Sequence, residues 1–303
     1  MPVYAVIDVG TNSVKFHIGE RRADGSWITL VDRAEVTRLG EGIAETGDIA
    51  PAAIARTVKA IAGMAGEAQV HGASALVAVG TMGMRSAQNS DAFIASVQER
   101  CGVTIEVIPG EEEGRLAYLA AKAGLDIAEG RLVVFDTGGG STQFTFGRGS
   151  EVDEQFSLNI GAVRLTTELG LGGAISREEL NKALAAIAGE FGRLDGVPSP
   201  DALVGMGGAI TNMTAVMLGL APYDPDAVQG TVLSRAAVDR QIELYRSYDV
   251  EARRQIVGLQ PKRADVILAG ACVVRTVMDK LGCDALSVSD RGLRHGVLLE
   301  RFG

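Results

Sequence analysis

The chain has 303 residues, 47% hydrophobic and 22% charged. That composition belongs to folded globular proteins, and the length suggests two domains. A formal net charge of −9 argues against a nucleic acid polymer as partner, although a local pocket of backbone amides can hold phosphate on an acidic protein. No apolar run reaches the ~20 residues of a membrane span, and the start, "MPVYAVIDVG", shows no signal-peptide pattern. Cys101, Cys272 and Cys283 stand far apart without metal or redox spacing, as expected of buried thiols in a reducing cytoplasm.

The pattern opens with a buried strand over 3–8, a tight turn, a second strand over 14–19 and a third over 27–36. An Ala-rich helix with Pro51 at its start runs to Gly66. Short strands at 74–79 and 104–108 alternate with helices at 86–101 and 111–123, which gives β-β-β-α-β-α-β-α. The meander then returns, with strands at 132–136, 142–147 and 151–158. "SREEL" starts a helix over 176–191 with Ser176 as cap and Glu179 three residues on. A strand at 201–206 and a helix at 208–217 follow. Further helices are expected at 235–248, 250–257, 263–281 and 291–302, with a last strand at 285–288.

The two meanders align without a gap. "VIDVGTNSVKFHIG" (6–19) and "VFDTGGGSTQFTFG" (134–147) share six of fourteen positions at a constant offset of 128, including Asp8 with Asp136, Gly10 with Gly138 and Ser13 with Ser141. This is the mark of an internal duplication. Each copy ends a strand on an Asp and follows it with glycine. Glycine lets backbone N–H groups approach an anion closely, and Thr11, Ser13, Ser141 and Thr142 add hydroxyl donors. An Asp beside phosphates usually meets them through a cation such as Mg²⁺. The motifs G-x-x-x-x-G-K-[ST] and G-x-G-x-x-G are absent, and each glycine turn leads into a second strand, not a helix.

Other pieces fit a phosphate site less directly. "IPGEEEGR" opens a helix with three acids; they complement the dipole, or one of Glu111, Glu112 and Glu113 is a base for water. Spacing does not choose among the three. Arg85 and Asn89 follow a strand, where an arginine can clamp phosphate or simply sit on the surface. Gly205, Gly207 and Gly208 lie between a strand and a helix, and Arg164 lies near Gly161; both are candidate anion contacts. His17, His71 and His295 form no metal spacing and read as structural or surface residues.

Taken in order, "AVIDVGTNSVKF", "RLGEGI", "MRSAQN", "IPGEEEGRLAY", "VVFDTGGGST", "SLNIGAVRL", "GMGGAITN", "LQPKRADVILAGA" and "SVSDRGLRHGVL" resemble the exopolyphosphatase/guanosine pentaphosphate phosphatase family of the actin-like ATPase superfamily. The resemblance implies an α/β protein of two actin-like (ribonuclease H-like) domains with mixed sheets flanked by helices, over 1–120 and 121–290, with a cleft between them and the C-terminal helix 291–303 packed back onto the first. It implies release of terminal phosphate from inorganic polyphosphate, with Glu113 as the base. Hydrolysis of guanosine pentaphosphate at the same site is the alternative. Asp8 and Asp136 would hold Mg²⁺ or Mn²⁺. Phosphate would lie on Gly10, Thr11, Asn12 and Ser13, on Gly138, Gly139, Gly140, Ser141, Thr142 and Gln143, and on Gly207 and Gly208. Arg85, with Lys15 and Arg164, would stabilise the equatorial oxygens. A homodimer is implied as well. Where such relatives read "GGGSTE", this chain reads "GGGSTQ". Gln143 can hydrogen-bond a water but cannot ionise, so metal use different from the relatives, or a non-catalytic phosphate or nucleotide sensor, is the other expectation. A kinase of the superfamily would need an acceptor-sugar site, for which the sequence gives no signal.

Overall fold

The computed structural model describes every residue except 126, 128 and 150. The chain divides into two compact units, Met1–Ala120 with Leu293–Gly303, and Ala121–Gly292. In the first, β1 (Val3–Val9), β2 (Ser13–Arg21) and β3 (Trp27–Val36) form the meander. Then come α1 (Ile43–Thr46), α2 (Pro51–Val70), β4 (Ala75–Gly80), α3 (Met82–Ser86), α4 (Ser90–Cys101), β5 (Ile105–Val107) and α5 (Gly110–Gly124). The sheet runs β3-β2-β1-β4-β5, antiparallel through the meander and parallel from β1 to β5. β1 is buried on both faces, which is why it reads as a continuous apolar run. Ala5, Ile7 and Val9 meet Ile61, Met64 and Phe93 of α2 and α4, while Val6 meets Leu293 and Val297 of the C-terminal helix.

The expected helix over 86–101 starts later, as α4 at Ser90, because Asn89 just before it is held to the chain elsewhere: its Nδ2 donates to the Ile49 carbonyl at 3.0 Å and its Oδ1 accepts from the Ile49 amide at 2.8 Å. Asn89 thus clasps the backbone.

In the second unit, β6 (Arg131–Thr137), β7 (Thr142–Arg148) and β8 (Glu151–Leu158) repeat the meander. They are followed by α6 (Ala162–Glu168), α7 (Arg177–Glu190), β9 (Ala202–Met206), α8 (Gly208–Leu218), α9 (Pro225–Val228), β10 (Val232–Ser234), α10 (Arg235–Ser247), α11 (Val250–Arg253), α12 (Ile267–Lys280), β11 (Ala285–Ser289) and the C-terminal α13 (Leu293–Phe302). The sheet runs β10-β11-β9-β6-β7-β8. α12 is buried along most of its length, as an almost uniformly apolar helix must be. Ser176 and Glu179 form the capping box at the start of α7. Two expected helices are shorter. Arg253 ends α11 because its guanidinium is fully buried and donates to the carbonyls of Tyr245, Leu171, Ala264 and Gly173. The stretch before α12 is a 3₁₀ turn at Pro261–Arg263, with the proline at its first position.

The duplication reaches the register of the strands. Asp8 faces Lys15 across β1 and β2, and Asp136 faces Gln143 across β6 and β7. Each meander shifts register at the glycine of its second strand, between Ile18 and Gly19 and between Phe146 and Gly147. No helix among the described residues is long and apolar enough to cross a membrane.

α13 belongs to the first unit and is tied to its sheet by stacking and by charge. Phe302 stacks on Tyr4 with ring centroids 4.1 Å apart. Arg294 donates to both oxygens of Asp32 on β3, at 2.6 and 2.9 Å, and His295 Nε2 lies 3.1 Å from the same carboxylate. His17 on β2 closes the group, its ring centroid 4.5 Å from that of His295. Two of the three histidines thus meet at Asp32, where the potential ligand atoms of His17, Asp32 and His295 lie within 4.8 Å of one another, a grouping that sequence spacing did not show. Burial, then the neighbouring Arg294 charge, pushes His295 down to about 3. Burial works against the Asp32 charge, but Arg294, His17 and His295 outweigh it and hold that carboxyl far below its ordinary range.

The linkage has one sign. An unfolded His295 takes a proton near pH ~6.5 and the folded one refuses it, so stability falls as pH drops below ~6.5. Asp32 adds a loss of the same sign below pH ~4. Urea unfolding should show about 2 kcal/mol less stability at pH 5 than at pH 7.5, and His295→Gln should flatten that slope. An unchanged slope in the variant would refute the assignment.

Candidate functional site

Each unit carries one glycine turn at the head of its duplicated hairpin. In the first, the turn after β1 is closed by the Gly10 amide, which donates to the Ser13 carbonyl at 3.1 Å. In the second, Gly138 donates to Ser141 at 2.9 Å. The remaining carbonyls of both turns are held from behind. Gly40 N–H donates to the Thr11 carbonyl, and the amides of Thr37 and Arg38 both donate to Asn12. Ala162 and Val163, at the start of α6, donate to the carbonyls of Gly138 and Gly139 at 3.0 and 2.9 Å.

This has a direct geometric consequence. In a trans peptide the N–H points opposite to the C=O. Fixing the Thr11 and Asn12 carbonyls turns the Asn12 and Ser13 amides outward, and fixing those of Gly138 and Gly139 turns out the Gly139 and Gly140 amides. Among the described residues, the amides of Gly139, Gly140 and Ser141 make no backbone hydrogen bond. Gly161 makes the docking of α6 possible: a Cβ there would lie 2.4 Å from the Gly139 carbonyl carbon and oxygen and 2.5 Å from that of Gly140. Arg38, in the strap over the first turn, is the one non-glycine residue with positive φ among the described residues, at 52°, a conformation that such ties must hold in place.

The three glutamates of α5 separate clearly. Glu111 is exposed, and both oxygens of Glu112 are taken by Arg115 at 2.8 Å. Glu113 is buried and its Oε2 accepts from Arg85 Nη2 at 3.1 Å. Arg85 is itself fixed by donating Nη1 to the Ile108 carbonyl at 2.7 Å. It sits on α3, whose Gly83 lies close enough to the first turn that a Cβ would be 3.3 Å from Thr11 Oγ1. The structure therefore brings Arg85, Glu113 and the first turn together. Asp8 stands at the same turn, 3.3 Å from Lys15 Nζ.

In the second unit Asp136 ends β6 among glycines. Gly207 has φ 99°, and a Cβ there would fall 2.5 Å from Asp136 Oδ1 and 2.4 Å from the Thr137 carbonyl, while at Gly292 the same atom would be 3.7 Å from Oδ2. Beside this, Arg263 is buried against the start of α8: its Nη1 is 2.0 Å from where a Gly208 side chain would begin. Gln260 accepts from its Nε at 3.0 Å. The sequence reading missed Arg263. It lies in "LQPKRAD", which carries no motif chemistry; only its burial marks it.

Arg164 is placed differently from expectation. Its guanidinium pairs with Glu190 and, at 3.2 Å, with Glu168. The residue of that segment that serves the turn is Gly161. Burial raises all three thiols above their usual value, Cys272 to about 12.

Asp136 offers hard oxygen ligands in a space walled by glycines, which fits a small oxygen-preferring ion such as Mg²⁺. Asp8, at the other turn, has the Lys15 ammonium opposite it.

The family model described as the Ppx/GppA phosphatase family matches residues 20–303. Exopolyphosphatase 2 of Mycobacterium tuberculosis is 32% identical over 99% of this chain and 98% of its own. A Ppx/GppA family member of Aquifex aeolicus has a crystal structure that superposes with TM-score 0.84 at 33% identity, covering 99% of this chain and 97% of that one. An exopolyphosphatase of Cytophaga hutchinsonii, 21% identical with TM-score 0.86 and 99% of both chains covered, shares the fold. The chain belongs to the Ppx/GppA phosphatase family.

Because Gly161 has no room for a methyl group, Gly161→Ala should push α6 off the glycine turn. The expected result is a loss of about 1–3 kcal/mol in stability together with weaker pyrophosphate binding, read by thermal unfolding and calorimetry. Full binding in the variant would show that α6 does not set the turn.

Proposed function

We propose that this phosphatase-family chain releases the terminal phosphate of inorganic polyphosphate, using a water that Glu113 orients and deprotonates. The observation that carries this reading is the sorting of the three α5 acids: only Glu113 is buried and fixed by Arg85 beside the first glycine turn. The names of the relatives support the substrate class.

Phosphoryl transfer asks little covalent chemistry of a protein. It asks for an aligned nucleophile and for charge stabilisation. The outward amides of Asn12, Ser13, Gly139 and Gly140 supply fixed dipoles for phosphate oxygens. Arg85 holds the base and presents its remaining donors to the equatorial oxygens, with Lys15 and Arg263 as further cations. Asp136 would hold a divalent ion, Mg²⁺ or Mn²⁺, which offsets negative charge on the phosphate chain when bound.

Glu113→Gln keeps the shape and the Arg85 contact but removes the base. It should lower kcat by about 10²–10⁴-fold with little change in KM, measured as phosphate release from long-chain polyphosphate with Mg²⁺. Near-full release by the variant would sink the assignment. Guanosine pentaphosphate, assayed in parallel, should be cleaved more slowly; the reverse order would make it the substrate.

A further inference from the structure

We infer that Gln143 is a positioning residue that makes the Ser141 hydroxyl a dedicated proton donor to substrate phosphate. The inference rests on the reading of the second glycine turn as a phosphate site.

It follows from where the hydroxyl protons of this turn go. Thr142 Oγ1 lies 2.6 Å from the Ile160 carbonyl, which can only accept, so the Thr142 proton is spent there. Thr137 Oγ1 lies 3.1 Å from Thr142 Oγ1 and must therefore be the donor of that pair, so its proton is spent as well. Gln143 Nε2 donates to Ser141 Oγ at 2.6 Å and to Ser157 Oγ at 3.3 Å. Both amide protons are then used, and Ser141 is an acceptor in its one contact with Gln143. Its own proton has no protein acceptor among the described residues. Gln143 and Ser141 are both buried, at 2% and 3% exposure, so the amide is not freely exchanged for water. Ser141 directly follows Gly139 and Gly140 in the same turn.

A carboxylate at position 143 would reverse this. It has no proton to give, so it would accept the Ser141 hydroxyl proton and withdraw it from the phosphate. The glutamine that looks like a lost acid is, in this chain, a donor that sets the polarity of a serine.

Binding of tripolyphosphate in metal-free buffer tests the idea in four chains: wild type, Ser141→Ala, Gln143→Glu and the double variant. Ser141→Ala should weaken binding roughly 10-fold or more in the wild-type background, the worth of a hydrogen bond to a charged group. It should have less than about a twofold further effect beside Gln143→Glu. Equal effects in both backgrounds would overturn the inference, as would no effect in either or no tripolyphosphate binding by the wild type. If the acid prevents folding, Gln143→Met replaces it. Its effect should appear with Ser141 present and vanish beside Ser141→Ala; an effect independent of Ser141 would overturn the inference. Phosphate release from polyphosphate with Mg²⁺ is followed separately. Its absence would defeat the hydrolase reading while the tripolyphosphate coupling still decides this one.

Discussion

Each glycine turn depends on carbonyl groups being tied down on its far side. A glycine turn by itself is a flexible segment with no preferred presentation of its amides. In this protein α6 holds one turn and the strap over residues 37–40 holds the other. The planar peptide converts each tie into an outward N–H. The resulting dipoles are fixed before any anion arrives, which spares the reorganisation that water or mobile side chains would need. Substitutions behind the turns, at Gly161 or Gly40, should therefore reach the anion without touching it.

The duplication supplied the same scaffold twice, and the two copies then diverged in the cross-strand slot opposite the aspartate. Lys15 fills it in one copy and Gln143 in the other. Beside Asp8, the lysine neutralises a carboxylate with an internal cation. Opposite Asp136, the glutamine brings an uncharged amide. One ancestral hairpin thus carries two electrostatically different residues in the same slot with no change in backbone register.

Much of the fold was readable because strand signals and the offset of 128 are local. Apart from β10, which the pattern did not show, the strands and the two glycine turns are where the pattern puts them, and the Ser176 capping box is present. What escaped is what depends on distant partners. α6 has seven residues with β-branched Val163, Thr166 and Thr167 and no side-chain cap; it forms because the glycine turn caps it. The start of α4 after Asn89 and the end of α11 at Arg253 are set by carbonyls and amides far along the chain. Arg164 looked like an anion ligand because its acidic partner Glu190 is 26 residues away. Glu113 could be separated from Glu111 and Glu112 by family resemblance, but spacing could not separate them; the separation comes from burial and from Arg85.

An acidic chain that binds a polyanion needs its attraction to be local. The cations near the turns are mostly committed: Arg85 to Glu113, Lys15 to Asp8, Arg164 to Glu190 and Glu168. Such pairs contribute little net potential at a distance, where salt screens what remains over ~8–10 Å. On the proposed reading, the pull on phosphate would come from contacts at hydrogen-bond range, such as amide dipoles and the buried Arg263. Such contacts act only on groups that fit them, so they would discriminate among anions by shape. A surface rich in unpaired lysine would attract more strongly and select less.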